Sequence, residues 1–309
     1  MIYIILKLLF CLTGVIAGLA VCAAVCHHIM LLKESSAIVP NGMLVSVDGH
    51  NMHIYAEGKK STPTLVIMSG SGHAAPVYDY KVLYSRFSDQ YRVVVIEKFG
   101  YGYSDVSALP RDVETMTREN REALSLAGEN APYILLPHSM SALEAIYWAV
   151  NFPGEVSAII GLDMAVPEEY APFTNKYIKM KFQKLAVMLG LHRIPFFNPV
   201  SERGLSPDEV KQHKYLSYKV TLNNDVMTEA GTVNENAKKV QQLGVPDIPI
   251  LLFVSSSIGE QWIERQHNFA KNSEKIKVIQ LNCGHDVHYD EPEYIASESR
   301  RFIKELFGK

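Results

Sequence analysis

The sequence predicts an α/β domain: a mostly parallel sheet flanked by helices, with an inserted helical cap and a preceding apolar helix long enough to cross a membrane. Three observations predict it. Short, continuously apolar runs alternate with helical patterns from residue 43 onward. The strand rhythm stops between Val166 and Val245. No Asp, Glu, Lys or Arg occurs from Leu8 to Leu32.

The N-terminal stretch comes first. A bilayer core needs about 20 apolar residues, and this run exceeds that. Cys22-Ala23-Ala24 imitates a signal-peptide cleavage site, but the apolar run continues through it to Ile29-Met30-Leu31-Leu32, which favours an uncleaved anchor over residues 1–35. Gly14 and Gly18 form a small-xxx-small pair of the kind that lets membrane helices pack. Lys7 lies on one side of the run and Lys33 with Glu34 on the other, so charge asymmetry orients it only weakly. The reading is an N-terminus inside and a folded domain outside the cytoplasm. Cys11, Cys22 and Cys26 lie within this stretch and only Cys283 lies beyond it, so no disulfide forms within the folded domain. Cys22 and Cys26, beside His27 and His28, read as membrane-helix residues, because a zinc site needs four suitably spaced ligands.

The folded domain begins after Pro40-Asn41-Gly42 and runs from 43 to 309. Met43–Val47 and Met52–Ala56, joined by Asp48-Gly49-His50, read as a hairpin. Apolar runs follow at 64–68, 92–96, 133–136, 158–162, 250–254 and 277–281, the pattern of strands buried on both faces. Helical patterns lie between them at Tyr78–Phe87, Val113–Ala127 and from Ala142 to a stop at Pro153-Gly154. The stretch 166–245 is helical in character, rich in Lys, Tyr, Phe and Met, and reads as a cap inserted into the sheet domain. A formal net charge of -3 argues against a nucleic-acid partner.

Three motifs carry chemistry. Leu135-Leu136-Pro137-His138-Ser139-Met140-Ser141-Ala142 joins an apolar strand to a helix, the setting of a nucleophile elbow. Its flanks are Pro137 and Ser141 where glycines are usual, and a serine before a helix is also a common N-cap. Gly284-His285 follows the last strand and places an imidazole on a loop above the sheet edge. His285 is preferred over His288, which lacks the preceding glycine. Ser69-Gly70-Ser71-Gly72 follows the first parallel strand. Oxyanion stabilisation needs two converging backbone N–H groups, and Ser71 and Met140 are the candidates. A phosphate-loop reading fails for want of the Lys-[Ser/Thr] ending.

In this order, together with Glu97-Lys98-Phe99-Gly100-Tyr101-Gly102-Tyr103-Ser104-Asp105, these motifs resemble the α/β-hydrolase superfamily over residues 43–309. The resemblance implies an eight-stranded sheet with the cap after the sixth strand. It also implies a triad in the chain order nucleophile, acid, histidine, and a hydrolase of esters or related acyl compounds. The acid usually follows the seventh strand, but Ser255-Ser256-Ser257-Ile258-Gly259-Glu260 holds no Asp. Asp163, after the sixth strand, is therefore the preferred acid, with Glu260 the alternative. The elbow lacks the aspartate nucleophile of dehalogenases and epoxide hydrolases. Phe173, Tyr177, Phe182, Phe196 and Phe197 in the cap are candidates for an apolar acyl or aryl pocket. No metal or organic cofactor is implied, and the expected partners are a small acyl substrate and a membrane. Two other readings stand beside the esterase. Glu168 and Glu169 would suit a proline-releasing aminopeptidase that grips a substrate amine, and the degenerate elbow would suit a non-catalytic, membrane-tethered binding protein on the same fold.

Overall fold

The computed structural model describes residues 2–60, 63–170, 174–196 and 200–308. It opens on a single long helix, α1 (Ile2–Ser35), uncharged from Leu8 to Leu32 and largely exposed up to Cys26. Strands β1 (Met43–Val47) and β2 (His50–Glu57) form the expected antiparallel hairpin. The remaining strands are β3 (Thr64–Met68), β4 (Val93–Glu97), β5 (Tyr133–Pro137), β6 (Val156–Leu162), β7 (Ile250–Ser255) and β8 (Ile276–Leu281). They complete an eight-stranded sheet in the order β1-β2-β4-β3-β5-β6-β7-β8, parallel from β4 through β8. Every residue of β3, β4, β5 and β7 is buried, which is why these strands read as unbroken apolar runs.

Helices cover both faces. Between β3 and β4 lie two short helical turns, α2 (Pro76–Asp79) and α3 (Lys81–Tyr84), where the sequence predicts one helix over 78–87. The break is at Tyr80, whose backbone leaves the helical region (φ −100°, ψ 3°) while its hydroxyl accepts a hydrogen bond from the Gly70 N–H. Next come α4 (Val113–Leu126), started by an Asp112 cap on the Thr115 N–H, and α5 (Ala142–Asn151) behind the Ser139 turn. Between β6 and β7 the chain leaves the sheet for α6 (Thr174–Met188), α7 (Pro207–Val220) and α8 (Asn224–Leu243). Ser206 and Glu209 close a capping box at the start of α7. The chain then returns to the sheet with α9 (Glu260–Ala270), which packs on the face of α4 and α5, and with α10 (Val287–Asp290) and α11 (Pro292–Phe307), which pack on the opposite face with α3.

A buried charge cluster fastens the helices between β6 and β7 to the rest of the domain. Lys98, after β4, donates to Glu144 of α5 (2.7 Å) and to Glu229 of α8, while the Tyr101 hydroxyl donates to Glu229 (2.7 Å) and Asn120 to Glu144 (2.8 Å). Burial alone would push the Lys98 ammonium down in pKa, but the two carboxylates overcome it and hold Lys98 above its ordinary value. Removing the one cation leaves two buried carboxylates facing each other. Lys98→Met is therefore expected to cost about 3–5 kcal/mol of stability, read by chemical denaturation of the full chain in detergent.

Candidate active site

The Ser139 turn is built by close approach of β3 and β5. Ser139 sits at φ +51°, a left-handed backbone that costs a non-glycine residue about 1–2 kcal/mol and signals a site held by its surroundings. The Ser141 hydroxyl turns back onto the end of β3 and donates to the Met68 carbonyl (2.8 Å), which the His138 N–H also reaches (3.0 Å). This is how a serine stands where the elbow usually has glycine: it is small, and its one polar group is satisfied. Gly70 has no such latitude. A Cβ there would lie 2.8 Å from both Ser139 Cβ and His138 Nδ1.

Asp163 follows β6, and its own N–H donates to Phe253 O of β7 (2.9 Å). Its carboxylate is fully buried and three donors converge on it. Oδ1 accepts from the Ser255 N–H (2.7 Å) and the Trp262 Nε1–H (2.8 Å), and Oδ2 lies 2.6 Å from His285 Nδ1. With the ring proton on Nδ1, His285 Nε2 is free to accept from the Ser139 hydroxyl at 2.9 Å. Three side chains separated by up to 146 residues thus form one hydrogen-bonded line, Ser139 to His285 to Asp163. Glu260, the alternative acid, begins α9 on the wall of the same cleft, but the His285 nitrogen it would need is occupied by Asp163.

A second layer holds the imidazole, and sequence reasoning missed it. Tyr80 accepts from the Gly70 N–H (3.2 Å) and donates to His138 Nδ1 (2.9 Å), leaving His138 Nε2–H to donate to the His285 carbonyl (3.1 Å). That chain uses every donor and acceptor once only if His138 is neutral. Its pKa agrees, being held well below the ordinary histidine value by burial first and then by His73 and His285. The only sequence clue was a His and a Tyr beside the motifs. His288 is fully buried and stacks on Tyr80 with ring centroids 4.2 Å apart, and burial likewise holds it neutral.

At the rim, His73 Nε2 lies 3.4 Å from Asp286 Oδ1. The hydrogen bond from His73 holds Asp286 down to about 2, and Asp286 and Asp79 together raise His73 although burial opposes them. Asp286, depressed from 3.8, contributes stability above that pH and loses it as the pH falls toward 2. His73, raised from 6.5, contributes below that pH and loses it as the pH rises through its higher folded value. The pair therefore stabilises most between pH 3.8 and 6.5. The difference in melting temperature between the parent and Asp286→Asn is expected to be largest in this window and to shrink on both sides of it. The difference isolates the pair, because the neutral His138 and His288 lower stability below pH 6.5 in both proteins.

The hydrogen-bonded line opens into a cleft of about 850 Å³, whose wall includes Ser71, Met140, Glu169, Met180, Glu260 and Trp262. Both candidate oxyanion residues thus share the cleft with Ser139 and His285. A smaller, mostly apolar cavity of about 210 Å³ adjoins it through Ser71, Met180 and Gln183, and is closed by Val220, Leu222 and Val226. The cap aromatics do not behave as expected. Phe182 is 72% exposed, because the face of α6 that meets the cleft carries Lys179, Met180 and Gln183 instead, and Phe196, beyond the end of α6, is 86% exposed. Tyr177 is half-buried and lies near Gly231 of α8, whereas Phe173 and Phe197 lie outside the described residues. Glu169 is paired with Arg265 (2.5 Å), and Glu168 is exposed.

No family model matches the sequence. YbdG of Bacillus subtilis (strain 168), an uncharacterized protein, is 33% identical over 98% of both chains. Among solved structures, the epoxide hydrolase CorEH superposes with a TM-score of 0.65 at 18% identity, covering 85% of this chain and 98% of that one. A haloalkane dehalogenase DbeA variant from Bradyrhizobium elkanii gives 0.64 at 17% (85% and 96%), and the enol-lactonase of Burkholderia xenovorans LB400 gives 0.60 at 14% (85% and 100%). The sheet order, the position of the helices between β6 and β7, and these similarities agree on the α/β-hydrolase fold, and the chain belongs to the family of YbdG.

Proposed function

We propose that this protein is a membrane-anchored serine hydrolase that cleaves carboxylic esters or related acyl compounds through an acyl-enzyme. The observation that carries the reading is the unbroken line from Ser139 Oγ to His285 (2.9 Å) and from His285 to Asp163 (2.6 Å). His285 Nε2 takes the Ser139 proton as Oγ attacks the substrate carbonyl. Asp163 keeps the other ring proton on Nδ1 and stabilises the imidazolium that forms. The backbone N–H groups of Ser71 and Met140 receive the oxyanion. His285 then protonates the leaving group, and water, deprotonated by the same nitrogen, releases the acid and restores Ser139.

The cleft and its apolar side cavity suit a substrate with two unequal arms, one of them hydrocarbon. Serine at position 139 supports acyl transfer over the alkyl displacement that needs an aspartate there. The Glu169–Arg265 pair weighs against the aminopeptidase reading, because the carboxylate meant for a substrate amine already holds a guanidinium. The anchor is part of the proposal. Leu8–Cys26 alone makes about 29 Å of helix, enough for the roughly 30 Å hydrocarbon core. We place the catalytic domain outside the cytoplasm. Turnover of chromogenic acyl esters without turnover of N-terminal prolyl amides is the expected result. The reverse preference would favour the aminopeptidase, and inertness toward both would favour a binding protein.

A further inference from the structure

Helix α6 carries two faces with different surroundings. Met180 and Gln183 look into the cleft. On the other side, Ile178, Phe182 and Leu185 fall within about 60° of one another at 100° per residue. They are 51%, 72% and 57% exposed, and Met188 at the last position of the helix and Leu191 and Ile194 just beyond it are exposed as well. Six exposed large apolar side chains on one short stretch is more than a lone surface leucine, and such a patch marks a surface that is covered in use. Lys181 flanks it with its ammonium over the Tyr177 ring (4.8 Å), and Lys184 reaches Asn224 (2.8 Å). A basic border around an apolar stripe is the composition of a helix lying in a membrane interface.

The position of α1 identifies the cover. The patch runs directly into the turn that α1 touches. Arg193 pairs with both oxygens of Glu34 (2.8 Å each) and donates to His27 Nδ1 (2.8 Å), His27 packs edge-on against His192, and the Cβ of His27 lies 2.9 Å from where a side chain on Gly190 would begin. The 19 residues Leu8–Cys26 suffice to cross the hydrocarbon, which puts this junction where the anchor leaves the bilayer. Leu191 and Ile194, on either side of Arg193 and His192, are thereby held at membrane level, and the α6 stripe extends from them.

We propose that the outer face of α6, with Leu191 and Ile194, is seated in the bilayer leaflet that α1 leaves, and that the cleft takes its acyl substrate from that leaflet. The substrate class is a membrane-resident amphiphile carrying an ester or related acyl bond. Its hydrocarbon arm crosses a single helix, from the lipid-facing side of α6 to the Met180 and Gln183 side. The substrate half of this proposal rests on the serine-hydrolase reading; the seating half does not.

The test uses the full chain reconstituted in phospholipid vesicles whose acyl chains carry bromine, a contact quencher of indole fluorescence. The native tryptophans are Trp148 and Trp262, so Phe182→Trp adds one reporter on the face. The added fluorescence is expected to be quenched by the brominated chains. Unquenched emission of a hydrated indole would overturn the seating, as would unquenched emission of a dry one, which would mean that a second copy or another protein covers the face. Failure of the chain to float with the vesicles would overturn the anchor and the seating together. In a second arm, Phe182→Lys with Leu185→Lys is expected to slow hydrolysis of a long-chain ester carried in the vesicles by about tenfold or more while leaving a soluble short-chain ester unchanged. Equal loss on both esters, or on neither, would overturn leaflet supply. If the parent chain hydrolyses neither ester, the serine-hydrolase reading fails and the substrate half with it, while quenching still decides the seating.

Discussion

Ser139→Ala is expected to lower kcat by about a million-fold, to the level left by binding and oxyanion contacts alone. The size follows from what the hydroxyl does. It is the attacking atom, it lies 2.9 Å from the nitrogen that accepts its proton, and no other hydroxyl shares that nitrogen among the described contacts. The folded state has little at stake. Among the described residues the side chain makes one hydrogen bond, to His285, and alanine keeps the same backbone, so the melting temperature of the variant is expected to match the parent. An inactive variant with an unchanged melting temperature separates chemistry from folding. Unchanged turnover would remove Ser139 from the mechanism.

Asp163→Asn is expected to lower kcat by about ten-thousand-fold, while Glu260→Gln is expected to remain at the parent level. The reason is the tautomer. The carbonyl oxygen of the introduced amide is drawn to the two fixed donors that Asp163 Oδ1 serves, the Ser255 N–H and the Trp262 indole N–H. The amide NH₂ then faces His285 Nδ1 and demands an acceptor there, which puts the ring proton on Nε2, where it can no longer accept from Ser139. Steady-state kinetics on both variants checks this. A dead Glu260→Gln beside a fully active Asp163→Asn would move the acid to the start of α9.

How much of this was legible in the sequence depended on how local each signal was. Strands buried on both faces announce themselves as unbroken apolar runs, and β3, β4, β5 and β7 lie where those runs are. Ser139 and His285 were legible because each stands where a strand ends. Asp163 was preferred over Glu260 only because the loop after β7 holds no Asp; the three distant donors that converge on its carboxylate leave no mark in the sequence. The Tyr80–His138 brace was invisible for the same reason, and Tyr80 also breaks the helix that the periodicity predicts. Phe182 misled because periodicity does not say which side of a helix meets the protein. On α6 the apolar stripe is the outer one, the reverse of a soluble surface helix.

The central claim is tested most directly by treating the full-length protein with a fluorophosphonate and locating the adduct by peptide mass spectrometry. Modification confined to the peptide that carries Ser139, abolished in Ser139→Ala and strongly slowed in Asp163→Asn, is the predicted result. An intact protein that takes up no reagent, or takes it up at another residue while position 139 stays free, would contradict the account.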